Sequence, residues 1–154
     1  MTAEVDKPAP DFTLPATRDG EVSLSSLKGQ NVVLYLYPRD NTPGCSQEGQ
    51  DFRDLYEAFR QANTEVLGVS RDSLKKHENF SSKFDFPFPL LADVDSEVCN
   101  AYDVIREKQM YGKTHEGIER STYLIDREGV VREIWRKVKV KDHAQTVLDA
   151  ARAL

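Results

Sequence analysis

The 154-residue sequence has only two cysteines, Cys45 and Cys99, and three histidines. Two thiols far apart in the chain cannot build a disulfide framework. A zinc site would want more ligands in close pairs, which His77, His115 and His143 do not supply. No metal or organic cofactor is therefore expected. No apolar run approaches the roughly 18 residues that a bilayer span requires, which argues against a membrane partner. The start, MTAEVDKPAPDFTLP, lacks the basic and apolar regions of a secretory signal, so the expected location is the cytoplasm. Positive charge is not in excess. The 21 Lys and Arg residues against 26 Asp and Glu leave a net charge of -5, which disfavours a nucleic-acid binder. The local basic strip Arg132, Arg136, Lys137, Lys139 and Lys141 reads better as a solvated edge strand guarded by lysine. Two chemical motifs are missing as well. Gly112-Lys113-Thr114 echoes the end of a P-loop, but Glu107 stands where that loop needs glycine, and Glu48 stands where a CxxC dithiol would place its second cysteine. Asn79-Phe80-Ser81 is formally a glycosylation triplet, without meaning unless the chain is secreted.

What is present is an alternation of strand and helix patterns over a length that suits one domain with an ordinary core. Asn31 to Tyr37, NVVLYLY, is an unbroken apolar run expected as a strand buried on both faces. After the loop PRDNTPG, the spacing of Phe52, Leu55, Tyr56 and Phe59 predicts a helix from about Pro43 to Gln61 with one apolar stripe. A second buried strand follows at Thr64 to Ser70. A second helix at Leu74 to Phe84 turns Leu74, His77, Phe80 and Phe84 to one side. PFPLLA, with its prolines, fits a short or edge strand, and Val98, Ala101 and Tyr102 mark a brief helix after Asp95. Ile105 to Gly117 is charged and without sustained period, and reads as a loop. Ser121 to Ile125 and Val130 to Trp135 flank the turn DREG and predict a hairpin. Asp142 and Gln145 have capping-box spacing ahead of a last helix carrying Ala144, Val147, Leu148 and Ala151. Near the start, Phe12, Leu14, Val22, Leu24 and Leu27 around Asp19-Gly20 suggest short strands joined by a turn. The sum is a three-layer α/β sandwich.

Cys45 falls where the first strand-to-helix loop becomes a helix, just after Thr42, a candidate N-cap, and Pro43, suited to the first helical position. Unpaired backbone N–H groups and the positive end of the helix dipole favour a thiolate there. The Gly, Pro, Thr and Ser residues around it do not look like core, where a buried cysteine would serve as a small hydrophobe.

Pro38-Arg39-Asp40-Asn41-Thr42-Pro43-Gly44-Cys45 fits the PxxxTxxC signature of peroxiredoxins, and TPGCSQE resembles the version found in the bacterioferritin comigratory protein, or PrxQ, subfamily. The resemblance continues through APDFTLP, FPLLAD, MYGK, GIERSTYLID and WRKVKVKDHA, covering nearly the whole chain in order. It implies a thioredoxin-like α/β fold with additional N-terminal strands. It also implies a thiol-dependent peroxidase, with hydrogen peroxide and organic hydroperoxides as substrates and glutathione, a glutaredoxin or a thioredoxin as reductant. Cys45 then matches the peroxidatic cysteine, whose sulfur becomes a sulfenic acid. Thr42 matches the threonine that aligns the peroxide, and Arg120 the arginine that stabilises the developing charge. Pro38 matches the proline that shields the thiolate, and Glu48 a carboxylate that orients an arginine. Simpler readings stand beside these. Thr42 suits an N-cap, Pro38 a strand end, Arg120 a solvated strand position, and Glu48 the positive end of the dipole.

The sequence departs from its relatives at the resolving cysteine. Gln50 stands at the commonest resolver position and Ser81 at the other. Cys99 is either a small core residue beside Val98 and Tyr102 or an unusual resolver. The first reading implies a one-cysteine mechanism with an external thiol. Subfamily resemblance implies a monomer. A rival function, a peroxide-sensing thiol module that signals to a protein partner without efficient turnover, is distinguished by the positioned Thr42 and Arg120 that turnover requires.

Overall fold

The structure, a computed structural model, describes residues 3–18 and 20–154. Strands β1 (Thr13–Ala16) and β2 (Gly20–Ser23) form an N-terminal hairpin and a 3-10 turn, Leu24–Leu27, follows; the expected turn at Asp19 lies outside the described residues. Two βα units come next: β3 (Asn31–Leu36), α1 (Pro43–Gln61), β4 (Thr64–Ser70) and α2 (Leu74–Phe84). The chain continues through β5 (Leu90–Ala92), the short helix α3 (Glu97–Ala101), β6 (Ile105–Met110), β7 (Lys113–Ile118), β8 (Ser121–Ile125), β9 (Val131–Trp135) and α4 (His143–Arg152).

Seven strands form one sheet in the order β2-β1-β5-β4-β3-β8-β9, with β3, β4 and β5 parallel and β8 antiparallel to β3. All six residues of β3 are buried, as expected of a strand at the sheet centre. Its side chains alternate between two cores. Val32, Leu34 and Leu36 join Leu67, Val69, Tyr123, Val98, Cys99 and Tyr102 on one face. Val33, Tyr35 and Tyr37 join Cys45, Phe52, Phe59, Phe80, Val147 and Leu148 on the other. Helices α1, α2 and α4 therefore cover one face and α3 lies on the opposite one, giving the expected three-layer, thioredoxin-like sandwich with additional N-terminal strands.

Three local expectations need correction. The segment from Ile105 is no loop: β6 and β7 pair antiparallel from Ile105↔Ile118 to Met110↔Lys113 around Tyr111 and Gly112, both at positive φ as a two-residue hairpin turn requires. The ribbon stands apart from the main sheet, and of β7 only Ile118 is buried, so no apolar alternation marks it in the sequence. β5 is short, as its prolines suggest, but not an edge, because Ala16 of β1 pairs with Leu91 on its far side. The capping box at α4 does not form. Asp142 adopts a left-handed conformation with no side-chain cap, its carbonyl accepts from Thr146, and Gln145 donates to Asp149 instead.

One close approach sets how α1 sits. A Cβ on Gly49 would penetrate the ring of Phe86, which is 1% exposed and stacked on Phe88 with Phe80 at its edge. Helix propensity favours alanine by about 1 kcal/mol, whereas overpacking a closed aromatic cluster costs about 1–3 kcal/mol. Gly49→Ala is expected to be net destabilising by up to about 2 kcal/mol in urea unfolding; a gain in stability would mean that the ring yields freely.

Candidate active site

The site lies at the carboxyl end of β3, where the sheet hands the chain to α1. Pro38, half-buried, opens the loop. Thr42 is the N-cap residue by backbone geometry (φ -95°, ψ 154°), and its carbonyl accepts the first helical bond from Ser46 N at 2.8 Å. Its hydroxyl does not cap the helix and instead donates to the carbonyl of Arg39 at 2.9 Å. Pro43 and Gly44 lead to Cys45 in the first turn, 2% exposed and a free thiol.

Sheet register brings the distant arginine here. Leu36 pairs with Ser121, so Arg120 emerges beside the end of β3, and its carbonyl is held by Val138 N at 3.0 Å. Nη2 of Arg120 donates to Cys45 Sγ at 3.3 Å and Nη1 to Glu48 Oε1 at 2.6 Å. The guanidinium thus spans two groups one turn apart on α1. Gly44 makes room for it, because a Cβ there would lie 3.1 Å from Nη2.

Glu48 is 1% exposed, and burial pushes its carboxyl up to about 7 even though Arg120 pulls it down. Its Oε2 and the Tyr35 hydroxyl are the buried side-chain atoms without a hydrogen-bond partner among the described residues. Burial works against the charge of Arg120, but Glu48 and Cys45 more than offset it and raise its value. Behind the arginine, His143 shares a 2.8 Å hydrogen bond with Thr122, and burial, aided by Arg120, lowers it to about 4.

Of the residues singled out from sequence, Cys45, Arg120 and Glu48 are brought into direct contact, and Thr42 and Pro38 sit on the adjoining loop. Cys99 is not brought near. It is fully buried in the core on the opposite face, and burial, with Asp93 beside it, pushes its thiol well above the ordinary value. Asp93 also receives the backbone N–H groups of Val98 and Cys99, which anchors α3. Sequence reasoning missed Gly44, whose lack of a side chain admits Arg120. It also missed Asp40 and His77, which meet beneath the loop at 2.7 Å. Nothing local distinguishes them, since His77 occupies an apolar stripe. Among the described residues no cluster of three or more His, Cys, Asp and Glu side chains is arranged to hold a metal, and no helix is long and apolar enough to cross a membrane.

The buried glutamate gives the fold a pH signature. Its folded value, about 7, exceeds the ordinary 4.5, so its stabilising contribution is complete below about 4.5 and is lost as pH rises through about 7. Relative to Glu48→Gln, which keeps an acceptor for Arg120, the natural chain is expected to lose up to about 3 kcal/mol between about pH 4.5 and 8. Urea unfolding at matched pH reads this difference. His143 titrates in the opposite sense and cancels in the comparison.

The AhpC/TSA family model matches residues 5–134. Peroxiredoxin Bcp of Xanthomonas campestris is 50% identical over 153 residues, covering 98% of this chain and 96% of the relative. The putative peroxiredoxin bcp of Coxiella burnetii is 47% identical over 148 residues, covering 96% and 98%. Among solved structures, the Xanthomonas campestris bacterioferritin comigratory protein, studied as trapped intermediate and ligand complexes for its alkyl peroxide reduction activity, superposes with a TM-score of 0.90 at 48% identity over 98% of both chains. With these relatives and with Cys45 meeting an arginine at a helix start, the chain belongs to the AhpC/TSA family and is a peroxiredoxin of the bacterioferritin comigratory protein (PrxQ) type.

Proposed function

We propose that this thiol peroxidase uses Cys45 as its peroxidatic nucleophile and works by a one-cysteine mechanism, with an outside thiol as reductant. The observation that carries the assignment is the 3.3 Å contact from Arg120 Nη2 to Cys45 Sγ, with the other arm of the guanidinium fixed on buried Glu48. A cation so placed favours the thiolate and is already oriented for the charge that develops at the reacting oxygens.

The thiolate attacks the terminal oxygen of a hydroperoxide. The S–O bond forms, the O–O bond breaks, and the departing oxygen leaves as water or an alcohol after taking a proton. Thr42 spends its own proton on the Arg39 carbonyl, so its oxygen is free to accept a hydrogen bond from the peroxide O–H and hold the two oxygens in line with sulfur. Pro38 limits the access of water to the loop.

The sulfenic acid then condenses with an outside thiol, releasing water and forming a mixed disulfide, which a second thiol reduces to regenerate Cys45. Three features favour this course over an internal resolver. Gln50 and Ser81 stand at the usual resolver positions, and Cys99 lies on the other face of the sheet from Cys45. Glutathione, a glutaredoxin or a thioredoxin supplies the thiol. The cytoplasm is the proposed location, where a reducing pool supplies the outside thiols that a one-cysteine cycle consumes. A monomer suffices, because one chain contributes every residue of the site.

Arg120→Gln is expected to slow oxidation of Cys45 by hydrogen peroxide about 10²–10³-fold in stopped-flow kinetics, the range for losing one preorganised donor. Cys99→Ser should retain thiol-dependent turnover within about twofold, as for a site remote from Cys45, although a polar hydroxyl in the core costs about 1–3 kcal/mol of stability. Peptide mass spectrometry after one equivalent of peroxide, with a sulfenic-acid trap, should find the adduct on Cys45 alone. A Cys45–Cys99 disulfide, or oxidation that no thiol reverses, would overturn the mechanism.

A further inference from the structure

The loop that carries Thr42 into α1 is fixed at one residue, Asp40, through three of its atoms. Its N–H donates to Asp72 Oδ2 at 2.8 Å, its Oδ1 accepts from the Tyr37 hydroxyl at 2.6 Å, and its Oδ2 meets His77 Nδ1 at 2.7 Å. Asp72 is itself held by the Ser70 hydroxyl at 2.7 Å. His77, on α2, is fully buried, and its Nε2 lies 2.8 Å from the carbonyl of Leu91 in β5. A carbonyl only accepts, so Nε2 carries a hydrogen, and the Asp40–His77 contact encloses one further proton. The loop is thereby tied to β3, to the β4–α2 connection, to α2 and, through His77, to β5.

Such a network is an expensive way to fill a core, because an apolar pair of similar volume is often at least as stable. What it supplies is direction. Between Asp40 and Cys45 the chain has little freedom, since Asn41 is held at φ 60°, its side chain accepts from Lys83 at 2.9 Å, and Pro43 has a fixed φ. Anchoring Asp40 therefore fixes Thr42 relative to sulfur. Arg120 reaches Cys45 from just before β8, steadied by Glu48 on α1, and among the described residues neither shares a hydrogen bond with this network.

We propose that Asp40 and His77, with Tyr37, are positioning residues for the peroxidatic step: their buried contact sets the loop that presents Thr42 beside Cys45, and so governs how the hydroperoxide is aligned. This rests on the reading of Cys45 and Thr42 given above. Misalignment on the order of 1 Å costs about 10²-fold in a reaction that depends on it. Alkylation by iodoacetamide needs the thiolate but no aligned peroxide, so the two reagents separate the roles.

The test measures second-order rates of Cys45 oxidation by hydrogen peroxide and of its alkylation by iodoacetamide, in the natural chain and in Asp40→Ala, Asp40→Asn and Tyr37→Phe, each verified as folded. Asp40→Ala should lose about 10- to 10²-fold with peroxide while alkylation stays within about threefold. Asp40→Asn should recover most of the peroxide rate, because its amide can donate to a neutral His77 and its oxygen still accepts from Tyr37. Equal slowing by both reagents, no slowing with peroxide, or an asparagine variant as impaired as the alanine one would overturn the proposal. Should Asp40→Ala not fold, Tyr37→Phe carries the test with the same selective, smaller loss, and an unchanged ratio of the two rates would overturn it. A natural chain whose Cys45 resists peroxide would sink the peroxidatic reading as well; variants equal to a reactive natural chain would sink this inference alone.

Discussion

One guanidinium holds the site together. Arg120 reaches Cys45 and Glu48 at once because the β3–β8 register delivers it to the start of α1 and because Gly44 offers no side chain in its path. Both α1 groups are buried, and a carboxyl whose ionisation burial opposes shares one fixed cation with the thiol. A lysine would bring the charge without the two-pronged geometry. The sheet order, the seat of α1 against Phe86 and the Val138 contact behind Arg120 all bear on where that fork points.

The central strands and the two long helices were legible because their patterns are long and unambiguous: NVVLYLY admits no polar face, and Phe52, Leu55, Tyr56 and Phe59 keep helical spacing. The β6–β7 ribbon was not, since a hairpin exposed on both faces carries no apolar alternation, and backbone pairing around Tyr111-Gly112 leaves little trace in composition. The edge reading of β5 failed because the strand that covers it comes from the far N-terminal end of the chain. At Asp142 the spacing of a capping box was present, but the left-handed backbone turned the side chain away.

The candidate site divides in the same way. Cys45 is legible from its place at a helix start. Arg120 needed the family resemblance, as nothing within GIERSTYLID marks one arginine as special. The Asp40–His77 contact was beyond either route, because its meaning lies in the meeting of a loop with α2, and a histidine in an apolar stripe reads as core. The two cysteines illustrate the point in reverse. Their sequence contexts differ, Cys45 at a helix start and Cys99 beside Val98 and Tyr102, and the two cores place them on opposite faces of the sheet.

The β6–β7 ribbon ends two residues before Arg120. A two-stranded ribbon is marginally stable alone in water, so it opens at a small fraction of the free energy that opens the sheet. Its base, however, is latched: Ile118 is buried in the core beside Val104, and Glu119 N donates to the Val104 carbonyl at 2.7 Å. Fraying that starts at the Tyr111 tip therefore runs down to the latch and stops there. The latch thus stands between the tip of the arm and the guanidinium, so that opening at the tip leaves the site in register.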